Sequence, residues 1–251
     1  LIFFFIGIFI YIMSNQNKIL VFTATYNEKD NIGELIYSIT QNCSDADILI
    51  IDDNSPDKTY EIIQEIQKQY KNIFLIKRHS KLGLDIAHKK AYDYAVENNY
   101  DYLITMDADF SHDPKEIKNF IYYLEKFPFV IGSRYIEGGK CLMRGRRLIF
   151  SEYGNKLIKF FLKINCNEFT TSYRGFNLKK LHNFNLNLVQ NKGYSFFMGT
   201  VYEIAKKGFE IKEIPIIFRD RSKGQSKIPK IEIFRTLINL FILVLKKKFK
   251  G

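Results

Sequence analysis

Two carboxylates separated by one alanine, Asp107-Ala108-Asp109, close a short apolar run, Tyr102-Leu103-Ile104-Thr105-Met106. The run reads as a buried strand. If the backbone stays extended through the acids, both carboxylates face one point beyond the strand tip, because side chains two apart share a face. Ala108 keeps that point uncrowded. In an open α/β sheet, ligands bind beyond the carboxyl ends of the strands. Two hard oxygen ligands there suit Mg2+ or Mn2+ carrying substrate phosphates, since Mg2+ is usually held by one or two carboxylates plus phosphate oxygens. An Asp-x-Asp pair also arises by chance in solvated loops, so the surrounding elements must decide.

Those elements alternate. Apolar runs at 19–24, 48–51, 73–77, 102–106 and 129–132 read as strands, and helical patterns lie between them at 32–42, 58–70, 85–98 and 114–126. Asn31 with Glu34 three residues on is a capping-box pattern. Asp113 before Pro114 is a cap with proline at the first helical position. This βαβα order predicts an α/β fold: a Rossmann-like, mostly parallel sheet with helices on both faces. A dinucleotide-binding turn would need Gly-x-Gly-x-x-Gly after the first strand, but Thr23-Ala24-Thr25-Tyr26-Asn27-Glu28 has no glycine. The second strand ends in Asp52-Asp53-Asn54-Ser55-Pro56-Asp57. Acids and amides at both tips suit hydrogen bonds to a base and ribose. A phosphatase of the haloacid-dehalogenase type carries its Asp-x-Asp after the first strand, whereas here the pair follows the fourth.

Composition narrows the partners. The 251 residues carry a net charge of +11, which calls for an anionic partner. The basic residues do not interleave with a nucleic-acid motif, so no nucleic acid is expected. Three scattered cysteines, Cys43, Cys141 and Cys166, form neither a disulfide framework nor a zinc site and fit a reducing cytosol. Residues 1–12 are uncharged and too short to span a bilayer; Met13 is the expected start of translation, with a short hydrophobic membrane toe as the alternative. No linker interrupts 18–227, which is expected to be one domain. From 228 to 251 the chain reads as an amphipathic basic helix. Ile231, Phe234, Leu237 and Ile238 share one face and Glu232, Arg235, Thr236 and Asn239 the other, before an apolar run and Lys246-Lys247-Lys248-Phe249-Lys250. Such a helix suits an anionic membrane surface, lysines on the headgroups; a core-packing last helix with a basic tail is the competing expectation.

Six motifs in order, Thr25-Tyr26-Asn27-Glu28, Ile51-Asp52-Asp53-Asn54-Ser55-Pro56-Asp57, Lys81-Leu82-Gly83-Leu84, Met106-Asp107-Ala108-Asp109, Gly132-Ser133-Arg134-Tyr135 and Asp220-Arg221-x-x-Gly224-x-Ser226-Lys227, resemble the family-2 glycosyltransferases. Within them the chain is most similar to the dolichol-phosphate (polyprenol-phosphate) mannose synthases, over roughly residues 18–230. The resemblance implies a GT-A fold, a nucleotide-sugar donor with GDP-mannose favoured, a polyprenyl phosphate acceptor, a divalent metal (Mg2+ or Mn2+) and inversion at the anomeric carbon. It implies a protein peripheral on the cytosolic face of a membrane, with room for a small membrane subunit. Carried over by motif, Thr25, Tyr26, Glu28 and Asp53 would hold the nucleoside, and Asp107 and Asp109 the metal and diphosphate. Arg134, Arg147, Ser151, Arg174, Arg221 and Lys227 would line the phosphate end. Glu168 is the carboxylate that could act as a base or only orient Arg174.

Four positions depart from the family pattern: Asp85 for a usual glycine, Phe197 and Gly199 for a usual glutamine and glutamate, and Ser111 where some relatives carry a metal-supporting glutamine. They leave UDP-glucose or another acceptor, and a non-catalytic nucleotide-binding module, as alternatives to mannosyl transfer.

Overall fold

The apolar runs that open the chain pair side by side. In the computed structural model, which describes residues 17–221 and 232–248, β1 (Ile19–Thr25), β2 (Asp47–Asp52), β3 (Ile73–Lys77) and β4 (Tyr102–Asp107) are mutually parallel. Three further strands, β5 (Phe129–Ser133), β7 (Arg174–Asn177) and β8 (Ile211–Pro215), complete a seven-stranded sheet in the order β3-β2-β1-β4-β7-β5-β8. β7 runs antiparallel to both neighbours. A second ribbon pairs β6 (Lys140–Cys141) with β9 (Ile217–Phe218).

Pleating splits the strand residues between two cores. Leu20, Phe22, Leu49 and Ile51 pack on one face against α3 (Leu84–Glu97), α6 (Ser195–Lys206) and α7 (Glu232–Lys248). Val21, Ile48, Ile50 and Ile104 pack on the other against α1 (Lys29–Asn42), α2 (Thr59–Gln67) and α4 (Ile117–Leu124). Both faces being covered is why the central strands read as continuous apolar runs.

One local expectation changes and one holds. α1 begins at Lys29 with Glu28 at its cap, and Asn31 Nδ2 donates to Glu28 Oε2 at 2.8 Å instead of capping the helix itself. Asp113 does cap the 3-10 turn at Pro114–Glu116, accepting from the Lys115 N–H. Residues 1–12, Met13 and Lys227 lie outside the described residues.

The parallel register decides what can meet. Thr25 stands opposite Asp52, Asp52 opposite Lys77, and Asp107 opposite Ala24. The carboxyl tips of β1, β2, β3 and β4 therefore lie on one edge, and the chain reversal between β1 and β4 opens the crevice where such sheets take ligands.

Candidate active site

At the β2 tip, Asp52 is sealed. Its carboxylate accepts from Thr25 Oγ1 (2.8 Å), Ser55 Oγ (2.6 Å) and the Ser55 N–H (2.9 Å). Thr25 is thus spent on shaping the turn. The next residue, Asp53, forms a buried ion pair with Arg78, which follows β3 directly. Burial raises the Asp53 carboxyl and the Arg78 charge pulls it partly back. Arg78 Nη2 donates to Gly83 O, while its Nε and Nη1 are buried with no hydrogen-bond partner among the described residues. Tyr26 stands beside them with Lys81 Nζ 4.1 Å from its ring centroid.

At the β4 tip the strand stops at Asp107, and Phe110 takes a left-handed φ of 62°. The extended path expected through both acids is therefore broken: Asp109 lies in a turn, where its Oδ1 accepts from the Ser111 N–H at 3.1 Å. Asp107 is half-buried, its Oδ1 held by Ser172 Oγ, and Asp109 is buried with Oδ2 3.1 Å from Arg221 Nε. Arg221 also lies 4.0 Å from Glu28 Oε1, so one guanidinium bridges the tips of β1 and β4. Ser111 meets the turn through its backbone, its carbonyl accepting from the Arg219 N–H.

The donor set fits a divalent cation. Two carboxylates are hard oxygen ligands, and Arg221 shows that the second Asp109 oxygen already attracts positive charge. Among the described residues no group of three or more His, Cys, Asp and Glu is arranged as a metal cage. The acid pair would be the protein's share of such a site, with phosphate oxygens and water as the remaining ligands, the usual arrangement for Mg2+.

Beyond β5, Arg134 and Glu168 form a buried fork: Nε to Oε2 at 2.7 Å and Nη2 to Oε1 at 2.8 Å. Glu168 also accepts from the Thr170 N–H, Thr170 Oγ1 and the Thr171 N–H. Burial works to raise this carboxyl, but Arg134 and these donors outweigh it and hold it below its ordinary value. A carboxylate with five donors and no exposed surface is a poor base, and it orients Arg134, not Arg174. Arg174 itself is in the core. It donates to the carbonyls of Thr171, Phe197 and Phe169 at 2.8–3.0 Å, and burial lowers its pKa to about 9. The expected phosphate role for Arg174 gives way to a structural one, because the antiparallel β7 carries it into the middle of the sheet.

α5 (Arg146–Leu162) approaches from the open side. Arg147, in its first turn, is half exposed with Asp220 Oδ1 at 4.0 Å, next in sequence to Arg221. Ser151 accepts from Tyr135 OH at 2.7 Å, and Asn155 ties the helix to Phe169 and Thr170. The departures also find partners. Asp85 accepts from the Gly193 N–H (3.0 Å). Phe197 packs over Arg174. A Cβ on Gly199 would collide with Asn191, whose amide donates to Asn239 of α7. Sequence reasoning missed Arg78, His112 and Ser172. Only Arg78 and His112 carried a signal: Arg78 directly follows the β3 run, and His112 lies just past the acids at the β4 tip.

A mostly parallel sheet whose carboxyl edge gathers acids at the tips of β1, β2 and β4, with arginines after β5 and in α5, suits a nucleotide-dependent group transferase of the α/β class. Residues 20–184 match Glycosyl transferase family 2, and the chain belongs to that family as a nucleotide-sugar-dependent glycosyltransferase. It is 32% identical over 214 residues to polyprenol monophosphomannose synthase of Mycolicibacterium smegmatis, covering 84% of this chain and 81% of that one. It is 28% identical over 235 residues to undecaprenyl-phosphate mannosyltransferase of Micrococcus luteus, covering 93% and 97%. Glucosyl-3-phosphoglycerate synthase of Mycobacterium tuberculosis, solved with Mn2+, UDP and glucosyl-3-phosphoglycerate, has the same GT-A fold. The TM-score is 0.63 at 16% identity, over 92% of this chain and 79% of that one. A mannosyltransferase from Pyrobaculum calidifontis, solved with GDP-Man and Mn2+, gives a TM-score of 0.56 at 15% identity, over 94% and 66%.

Proposed function

We propose that this enzyme moves a hexose, mannose from GDP-mannose, onto a polyprenyl phosphate at the cytosolic face of a membrane, with Mg2+ or Mn2+ as cofactor. One observation carries the reading: the cationic edge of the site adjoins an outward apolar surface. Arg147 lies in the first turn of α5, whose Ile149, Phe150, Tyr153, Leu157, Phe160 and Phe161 form an exposed stripe at helical spacing. α7 packs beside α5 and exposes Leu237, Ile238, Phe241, Ile242 and Leu245. Its Leu240 and Leu243 are buried, and Thr236 and Asn239 reach Ser195. So α7 docks on the domain through Thr236, Asn239, Leu240 and Leu243, and a second apolar face turns out. Among the described residues no helix is long and apolar enough to cross a membrane. A two-helix surface rimmed by exposed Lys156, Lys246 and Lys247 suits lying on anionic headgroups. The Mycolicibacterium and Micrococcus relatives carry polyprenol and undecaprenyl phosphate in their names, which agrees with such a surface.

In this reading the Asp53–Arg78 pair and Tyr26 read the base, with Glu28 nearby, and Asp107 and Asp109 hold the cation that neutralises the diphosphate. The acceptor phosphate, with a second pKa of about 6, is already ionised at neutral pH and needs no strong base. Its oxygen attacks the anomeric carbon, forming the new C–O bond as the bond to the nucleoside diphosphate breaks on the opposite face. Arg134, Arg147, Arg221 and Lys227 offset the charge that gathers on both phosphates in the transition state, which is where preorganised cations act most strongly. Ser151 orients the acceptor side. Purified protein, liposomes containing polyprenyl phosphate and a panel of radiolabelled GDP- and UDP-sugars test the proposal. Labelled anionic lipid from GDP-mannose is expected; product from UDP-glucose alone moves the donor to the alternative, and no product with any donor removes the lipid acceptor.

A further inference from the structure

We propose that His112 is the positioning residue that sets the cation-facing tip of β4 and couples it to Arg134. The ring is 1% exposed. Its Nδ1 accepts from the main-chain N–H of Asp107 at 3.1 Å, so the proton sits on Nε2, which faces Thr171 Oγ1 at 3.1 Å. The ring packs on Tyr173 and, edge-on, against Phe218 with centroids 4.8 and 5.4 Å away, and Phe218 lies 5.1 Å from the Arg134 guanidinium. Burial lowers the His112 pKa, in keeping with a neutral ring of fixed tautomer.

What His112 grips reaches both halves of the site. Thr171 donates its N–H to Glu168, which forks Arg134. The next residue, Ser172, donates its hydroxyl to Asp107 Oδ1, while its carbonyl accepts from Thr105 Oγ1. The loop 168–172 therefore touches the cation-facing acid at one end and the transition-state arginine at the other, and His112 pins its middle to the β4 backbone. Partners that orient ligating groups of this kind usually matter about 10- to 100-fold in metal affinity or activity.

The proposal rests on the acid pair being the cation site, and its test separates the two. Mn2+ binding is titrated by electron paramagnetic resonance, alone and with inorganic pyrophosphate, beside thermal unfolding and steady-state turnover. If the native protein binds no Mn2+, the cation site fails. Granted that binding, His112→Leu is expected to weaken Mn2+ about 10- to 100-fold. His112→Asn keeps an acceptor near Nδ1 and should retain Mn2+ affinity while losing kcat at unchanged donor KM, since the link to Thr171 is cut. His112→Gln keeps only the donor near Nε2 and should lose Mn2+ affinity. Native-like Mn2+ binding by a folded Leu variant overturns the proposal. So does an Asn variant indistinguishable from the Gln variant, which makes the ring a packing element; that pair decides the matter where the Leu variant does not fold.

Discussion

The donor edge and the acceptor edge of this site are built on different rules. Along β1, β2 and β4 the acids are fixed before any ligand arrives: Asp52 by three donors, Asp53 by Arg78, Asp107 by Ser172, Asp109 by Ser111 and Arg221. Around α5 the cationic group is held loosely. Arg147 is half exposed with a partner 4.0 Å away, and the helix beyond it turns aromatic and aliphatic side chains to the outside. Under the function proposed above, the difference follows from what each edge meets. A nucleoside diphosphate is one small molecule whose oxygens reward rigid placement, because preorganised groups need no reordering at the moment of reaction. A lipid acceptor arrives from a plane, and what brings it close is the enzyme's position on that plane.

The donor edge breaks hardest. Asp109→Asn keeps the shape but removes a ligand charge and the anchor of Arg221, so turnover should fall by about a thousandfold or more, several kcal/mol of transition-state stabilisation. Divalent-dependent transfer and a thermal melt check this together; near-native turnover, or full native activity in EDTA, would sink the cation assignment.

Glu168→Gln tests whether the fork at the junction is structural. Breaking a buried pair from one side leaves an uncompensated charge and costs about 3–5 kcal/mol, read as a lowered denaturation midpoint. The native pair has a pH signature. The folded carboxyl lies below its ordinary 4.5, so its stabilisation is full above that pH and is lost as pH falls through the lower folded value. The Gln variant should lack that acid-dependent component, and chemical denaturation at pH 3 and pH 6 measures it. If the variant instead keeps its stability and loses only turnover, Glu168 returns as a candidate base.

Arg147→Ala and Arg221→Ala sharpen the boundary between the edges. Both should lose kcat, by about tenfold to a hundredfold, more than they lose nucleotide affinity, since charge neutralisation strengthens as the leaving group departs. They should differ in one respect. Arg221 occupies Asp109 in the resting enzyme, so its removal should tighten Mn2+ binding in the absence of nucleotide, whereas loss of Arg147 should not. Normal turnover at saturation with poor nucleotide binding would make both arginines donor ligands.

The sequence made the donor edge easier to read than the acceptor edge, for the same physical reason. Apolar runs ending in acids are local signals, and the β1 to β5 strands stand within a residue of their expected places, although the backbone turns after Asp107. Arg174 and Glu168 were misjudged because their partners are set by topology. The four-residue β7 has no apolar run to announce it, yet it inserts antiparallel between β4 and β5 and buries the arginine against three carbonyls. The bridge from Glu168 to Arg134 spans 34 residues. Nothing in local spacing predicts it. Gly199 is likewise understood only once Asn191 is seen to fill the space and reach Asn239.

The smallest expected effect concerns the outward surface, and the way α7 packs dictates how to measure it. Deleting 231–251 removes Leu240 and Leu243 from the core along with Asn239, so a truncated protein confounds anchoring with folding. Substituting the outward face avoids this. Ile238→Ser with Phe241→Ser changes two side chains that are 61% and 63% exposed, and the melt should be unchanged. Burying a large apolar side chain in the acyl boundary is worth about 1.5–3 kcal/mol when complete, so partial insertion of two should cost about tenfold in binding to anionic liposomes. Transfer to a long-chain polyprenyl phosphate should fall in step, and transfer to a short water-soluble prenyl phosphate should be spared. The parallel pair Phe150→Ser with Phe160→Ser on α5 should behave alike, because the two stripes belong to one surface. If the α7 variant releases the protein and the α5 variant does not, only the terminal helix meets the membrane. If neither does, both stripes serve another partner, and the looseness of the acceptor edge needs a different cause.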